Sequence, residues 1–173
     1  AYEDLADKFG LWDAAEVMKE YGCSDDGFID FRAWLIAQGR DVYLSALADP
    51  DSLAEVIPYG DCCFETLSYV GDYAYEQLTD KSAYDQTDQT RYETLLAELE
   101  QDIVYKGGIE FPREGPELKQ YLPRLCAAHP GWDGKTRWNV QQKEMRDLIR
   151  AGKAYDQRQA PKKKHRNHGG EAR

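Results

Sequence analysis

From Phe28 onward the apolar residues of this chain recur at helical intervals. Phe28, Phe31, Leu35 and Val42 share one side, and Ile29, Trp34 and Ile36 widen it until little surface is left for water. Such a stretch is expected to form a buried central helix, running through Gly39 to Ala48 before Asp49-Pro50 stops it. Ser24, Asp25 and Asp26 stand where that helix begins. They offer cap oxygens and first-turn carboxylates that complement the open amides and the positive dipole end, and Gly22 gives the backbone freedom to leave the preceding helix.

The same residues suggest a calcium-binding EF-hand loop, and counting tests the idea. With Gly27 at loop position 6, Ser24, Asp26 and Asp30 fall at 3, 5 and 9. Position 1 is then Gly22 and position 12 is Ala33, so both strongest carboxylate positions are empty. Charge and coordination number are lost together, and a helix start explains the residues with less.

Punctuation elsewhere divides the chain into further helices. Tyr2 to about Glu20 keeps Leu5, Phe9, Trp12, Ala15 and Val17 on an apolar side, with Gly10 a weak point. After Asp49-Pro50, Asp51 or Ser52 is expected to cap a short piece ended by Pro58 and Gly60. Asp61 is expected to cap a helix with Phe64, Leu67, Gly71, Ala74 and Leu78 on one side, Gly71 marking close helix contact, and Glu65, Asp72 and Glu76 opposite. A helix from about Arg91 to Val104 follows a polar loop. Another is expected from Pro116 to Ala128, interrupted by Pro123, and a last one from about Val140 to Ala154. Strand-like alternation and internal repeats are absent from the sequence. The expected fold class is therefore all-α: a compact multi-helix bundle with a disordered C-terminal tail. A helical domain over 1–128, a loop and C-terminal helix over 129–160, and a tail over 161–173 make up the expected organisation.

At 173 residues the chain suits one domain that needs no staples. Its four cysteines, Cys23, Cys62, Cys63 and Cys126, are too few for a disulfide framework, which points to a reducing cytoplasm. No apolar run approaches a membrane span and no leader opens the chain, so no membrane association is expected. The opening lacks methionine and already reads as helix, as in a fragment or processed chain. Net charge is -10, yet residues 161–173 hold five basic residues against one acid, leaving -14 on residues 1–160. An acidic body repels phosphates and suits a basic protein partner, whereas Lys162, Lys163, Lys164 and Arg166 suit weak, salt-sensitive contact with nucleic acid. A solubilising tail is the simpler reading.

One longer signature has a spacing of its own: Leu11-Trp12, Gly22-Cys23-Ser24-Asp25-Asp26, Phe28, Phe31-Arg32-Ala33-Trp34-Leu35-Ile36, Gly39-Arg40 and Asp49-Pro50-Asp51-Ser52-Leu53-Ala54. It resembles the domain of unknown function 4240 family over approximately residues 1–128. The resemblance implies a bacterial protein with a compact helical domain and no established activity. Members commonly carry more helical sequence upstream, and often a second glycine where this chain has Tyr21. The family sometimes accompanies nucleic-acid-associated WGR domains, which implies an accessory role by analogy only.

Chemistry, if present, would gather Cys23, Asp25 and Asp26 with Asp61, Glu65 and Asp72, should the two helices pack together. Converging carboxylates raise one another's pKa or recruit a divalent cation. Against this, acids at a helix start usually cap, and Arg32 is placed to pair with Asp25 or Glu65. Cys23 gains from a helix N-terminus but loses to its acidic neighbours, and the only suitable base is His129, since His165 and His168 lie in the tail. Cys126-Ala-Ala-His129 has ligand-like spacing and would need Cys62 or Cys63 to complete a zinc site; without a second tight pair the signal is weak. The twelve tyrosines and four tryptophans lie among acids, unlike a nucleic-acid stacking groove, and Trp12 and Trp34 fit a core. No resident metal or cofactor is expected. The leading reading is a non-catalytic interaction or regulatory module. A small acid- or metal-dependent hydrolase using the motif acids and Glu65 is the alternative, and nucleic-acid association through the tail is a third reading.

Overall fold

The computed structural model describes residues 1–19, 22–58, 60–86, 88–107 and 115–136. Within them the regular structure is helical without strands: α1 (Tyr2–Leu5), α2 (Phe9–Met18), α3 (Asp25–Ala37), α4 (Arg40–Ala48), a 3-10 turn (Pro50–Glu55), α5 (Glu65–Ser68), α6 (Val70–Thr79), α7 (Gln89–Glu100), α8 (Gly115–Tyr121) and α9 (Pro123–Ala128). The final helix expected near 140–154 and the basic tail lie outside the described residues.

The most enclosed element is α2, in which every residue from Gly10 to Met18 is buried. It carries Asp13 and Glu16 into the interior, both fully buried. α3 lies against it and buries Phe28, Phe31, Ala33, Trp34 and Leu35 while leaving Ile29 41 % exposed, so α3 has an outer side. Trp12, Phe28, Phe31 and Trp34 make an aromatic row across the two helices, with successive ring centroids 4.9, 6.4 and 5.4 Å apart. Burying a side chain of this size contributes about 2–3 kcal/mol. Leu47, Leu53, Leu118, Leu122, Leu125 and Trp132 complete the core.

Ser24 caps α3 as its sequence position implies, its Oγ accepting from the Gly27 amide at 3.2 Å. The helix then stops where the sequence suggested continuity. Gly39 has φ +93, a conformation that an L side chain rarely adopts, and the chain restarts as α4. The expected first helix is likewise two, α1 and α2, and Pro123 divides the expected 116–128 helix into α8 and α9, where it occupies a first-turn position.

The Asp49-Pro50 segment differs from expectation in an informative way. Asp49, not Asp51 or Ser52, caps the 3-10 turn, accepting from the Asp51 amide at 3.4 Å. Asp51 points across the core instead and serves α9: one oxygen accepts from Leu125 N at 2.9 Å, the other from Arg124 N at 3.3 Å and Arg124 Nε at 3.0 Å. The carboxylate thus satisfies the second and third amides of a helix more than seventy residues away in sequence. Arg124 also reaches Asp49 at 3.3 Å and Glu55 at 2.8 Å, and Lys106 Nζ donates to Asp49 at 2.8 Å while lying 4.3 Å from the Tyr121 ring centroid.

The helices after residue 64 are held differently. None of α5, α6 or α7 has a buried residue. α5 lies beside α3, tied by Phe64 N donating to Asp30 O at 3.2 Å. Polar contacts join α5 and α7 to α1: Ser68 Oγ donates to Glu3 Oε1 at 2.7 Å, and Tyr92 OH to Asp4 Oδ2 at 2.6 Å. Asp88 caps α7, accepting from the Arg91 amide at 3.0 Å, and the helix runs from Gln89 to Glu100 where the sequence suggested about Arg91 to Val104. Gly71, expected at a close helix contact, has nothing within 4 Å of where a Cβ would stand.

Candidate functional site

Two places deserve the name of candidate site: the turn that starts α3, and the surface of α5–α7. At the turn, Glu16 rises from α2 and accepts from Cys23 N at 3.1 Å with one oxygen and from Trp12 Nε1 at 3.3 Å with the other. A buried carboxylate therefore anchors the motif from beneath, and it is spent on hydrogen bonds that hold the loop. Cys23 is itself 1 % exposed, and burial, with the Glu16 charge second, pushes its thiol up to about 12. A thiol held protonated and out of reach is a poor nucleophile.

The motif acids Asp25 and Asp26 lie on the surface of the first turn of α3. Among the described residues neither makes an ion pair or a side-chain hydrogen bond; they complement the helix dipole. Glu65 and Asp61 are exposed and Asp72 is half-buried. Arg32, expected beside Asp25 or Glu65, turns the other way. Its Nη1 donates to Glu3 O at 3.2 Å and lies 3.6 Å from Asp7 Oδ2, with the guanidinium 5.0 Å from the Phe28 ring centroid. Arg32 lies two turns inside α3, so its long side chain follows the Phe28 face toward α1 instead of returning to the helix start.

What the turn does gather is a cation and thiols. Lys19, at the end of α2, donates from Nζ to Cys63 Sγ. The same ammonium lies 3.6 Å from where a Cβ at Gly27 would stand, an ordinary van der Waals distance. Cys62 is 1 % exposed, and burial pushes its thiol up to about 11 against the pull of Lys19. Among the described residues no three His, Cys, Asp or Glu side chains converge as metal ligands; Cys126 donates instead to Leu118 O at 3.9 Å, and Cys62 and Cys63 stay beside Lys19.

Residues 1–77 match the family described as Protein of unknown function (DUF4240). The match covers fewer than half of the 173 residues and is a likeness of this segment. The match ends at Gln77, inside α6, short of the approximate residue 128 to which the sequence resemblance extends. No curated protein and no solved structure matches the chain. The DUF4240 segment thus contains α1 to α5, the Asp51 carboxylate and the Cys62-Cys63 pair, whereas Arg124 and α9 come from beyond it.

On the second surface, Val70, Tyr73 and Leu78 occupy one broad side of α6 and are 55, 60 and 86 % exposed. Tyr69 extends the stripe, its ring centroid 6.3 Å from that of Tyr73, and Leu95 of α7 is also exposed. Residues 65–102 carry ten acidic and two basic side chains. At the end of α7 a cavity of about 220 Å³ opens between Tyr2, Ile36, Tyr43, Leu44, Leu99 and Ile103, with Arg40 and Asp102 3.8 Å apart at its lip; no residue of α5 or α6 lines it. Sequence reasoning gave Leu78 to a packed face because its spacing is the spacing of a core helix. Glu16 and Lys19 escaped notice because charged residues on an amphipathic helix normally face water. No described helix is long and apolar enough to cross a membrane.

Proposed function

We propose that this domain is a non-catalytic interaction module whose α5–α7 surface receives a cationic amphipathic helix from another protein. One observation carries the reading: the apolar side of α6 remains open to solvent in a domain whose α2 and α3 bury theirs. A contiguous apolar stripe rimmed by charge is the ordinary mark of a docking face. The sign of the rim selects the occupant. Ten carboxylates against two cations repel both a polyanion and a second copy of the same surface, and attract a basic segment. Residues 161–173 bring positive charge but no large apolar side chain, so they do not match the stripe.

The cavity beside Tyr43 would take an apolar side chain of the arriving helix, with the Arg40–Asp102 pair at its rim. A hydrolase built on Cys23, Asp25, Asp26 and Glu65 has less support, since Cys23 is enclosed and its acidic neighbours lie on the open surface of the turn. Four free thiols agree with a cytoplasmic setting.

Titration of the full chain into a fluorescent helical peptide of leucine and lysine, read by anisotropy, tests the proposal. A peptide of the same composition in scrambled order is the control. Binding of the amphipathic peptide should weaken about tenfold, equivalent to about 1.4 kcal/mol, when Tyr73→Ser and Leu78→Ser are combined. Equal binding of both peptides, or indifference to the two substitutions, would count against an ordered docking face.

A further inference from the structure

The cavity at the end of α7 joins apolar walls to a charged lip. Ile36, Leu44, Leu99 and Ile103 line it, together with Tyr2 and Tyr43, whose ring centroids lie 5.5 Å apart, edge to face. The Tyr43 hydroxyl is already spent, donating to Tyr2 O at 2.7 Å. Gly39 lines it too, and nothing stands within 4 Å of where a Cβ would be, so the wall there is bare backbone. About 220 Å³ exceeds the roughly 150 Å³ that encloses a benzene and falls short of the roughly 300 Å³ at which drug-sized sites begin. The space therefore suits one group the size of a leucine or phenylalanine side chain. Each charge at the lip is placed against its own helix. Arg40 is the first residue of α4, where the dipole favours an anion, and Asp102 follows the last turn of α7, where it favours a cation. Asp41 eases the first placement, whereas no basic residue in the last turn of α7 eases the second. The two side chains are 3.8 Å apart and 71 and 78 % exposed, so solvent screens the pair and it opens at little cost.

We propose that this cavity is a binding site for a free α-amino acid with an apolar side chain. The side chain fills the apolar space, the α-carboxylate meets Arg40 and the α-ammonium meets Asp102. A zwitterion gives each lip charge its opposite and brings to each helix end the sign that its dipole favours. A ligand with a single charge answers one lip residue and leaves the other without its partner. The lining comes from α1, α3, α4, Gly39 between them, the end of α7 and the residues just after it, so the inference goes beyond the docking reading and stands without it.

Amide chemical-shift titration of the full chain with L-leucine tests the assignment. Saturable shifts are expected at Ile36, Leu44, Leu99 and Ile103. Leucine amide, which lacks the carboxylate, and 4-methylpentanoate, which lacks the ammonium, should each bind about fivefold more weakly, the upper range for one exposed ion pair. Glycine, without an apolar chain, should give no saturable shift. Asp102→Asn and Arg40→Gln should each weaken leucine by a similar factor, and Leu99→Trp, which fills the space, should abolish binding. Equal affinity for leucine and 4-methylpentanoate, indifference to Asp102→Asn, or no saturable shift with leucine up to about 20 mM would overturn the proposal. If Leu99→Trp loses its helical circular dichroism, the ligand series on the unaltered chain decides alone. Combining Tyr73→Ser with Leu78→Ser should leave leucine affinity unchanged, and a matching loss would place the ligand on the α6 stripe and overturn the assignment. A chain that binds leucine but not the leucine–lysine peptide would support this site and refute only the docking face.

Discussion

Replacing Asp51 by alanine is the perturbation whose consequence the structure fixes most closely. Asp51 is 5 % exposed, and its two oxygens accept from Leu125 N, Arg124 N and Arg124 Nε. Leu125 is fully buried, so its amide would be left with no acceptor and little water. Orphaning such a group costs about 1–3 kcal/mol, and loss of a carboxylate at the helix N-terminus adds about 0.3–1 kcal/mol. The expected loss for Asp51→Ala is therefore about 1.3–4 kcal/mol, or about 3–16 °C in Tm for a chain of this length. Asp51→Asn keeps one acceptor for Leu125 N but turns a dipole of the wrong sign toward Arg124, and should cost about half as much. Urea unfolding followed by circular dichroism measures both. Asp25→Ala, at the exposed first turn of α3, is the contrast and should cost no more than about 1 kcal/mol. If Asp51→Ala costs under about 0.5 kcal/mol, or no more than Asp25→Ala, the carboxylate does not hold α9 and the reasoning fails.

Two glycines should respond in opposite directions in the same unfolding assay. Gly71→Ala meets nothing within 4 Å on exposed α6 and should stabilise by about 0.5–1 kcal/mol, whereas a Cβ at Gly115 would overlap the Gly134 carbonyl oxygen and should cost about 1–3 kcal/mol. Alkali provides a third test. Burial raises the Cys23 thiol from its ordinary 9.0 to about 12, so the unfolded chain releases that proton first. The resulting stability is complete below pH 9 and declines as pH rises toward 12; Cys23→Ala should flatten the decline between pH 9 and 11, and an unchanged slope would deny the burial effect.

How much of this was legible in the sequence depends on which physical rule governed each residue. Ser24 was readable because capping is local: the acceptor and its amide are three residues apart. Pro123 was readable because proline restricts its own turn whatever surrounds it. Asp51 looked equally local but was not, since its partners come from α9, and a carboxylate near Asp49-Pro50 is chemically as fit to cap its own turn as a distant one. Gly39 was ambiguous for a related reason: glycine inside an apolar pattern is tolerated in a helix, and only its φ of +93 marks the break.

The candidate sites follow the same division. The motif acids Asp25 and Asp26 attract attention by type and number, yet it is Glu16, on a helix whose pattern suggests a solvent side, that reaches the Cys23 amide. Lys19 and Cys63 are separated by more than forty residues, with no pattern to connect them. The exposed stripe on α6 reads as core because helical periodicity reports that an apolar side exists without reporting what covers it.

The central claim, that α5–α7 form a docking face for a basic amphipathic helix, is tested most directly by amide chemical-shift mapping of the full chain during titration with the leucine–lysine peptide. The account expects the largest shifts at Val70, Tyr73, Leu78 and Leu95, with smaller ones around Tyr43 beside the cavity. Shifts concentrated instead at Cys23, Asp25 and Asp26, with the α6 stripe silent, would contradict it.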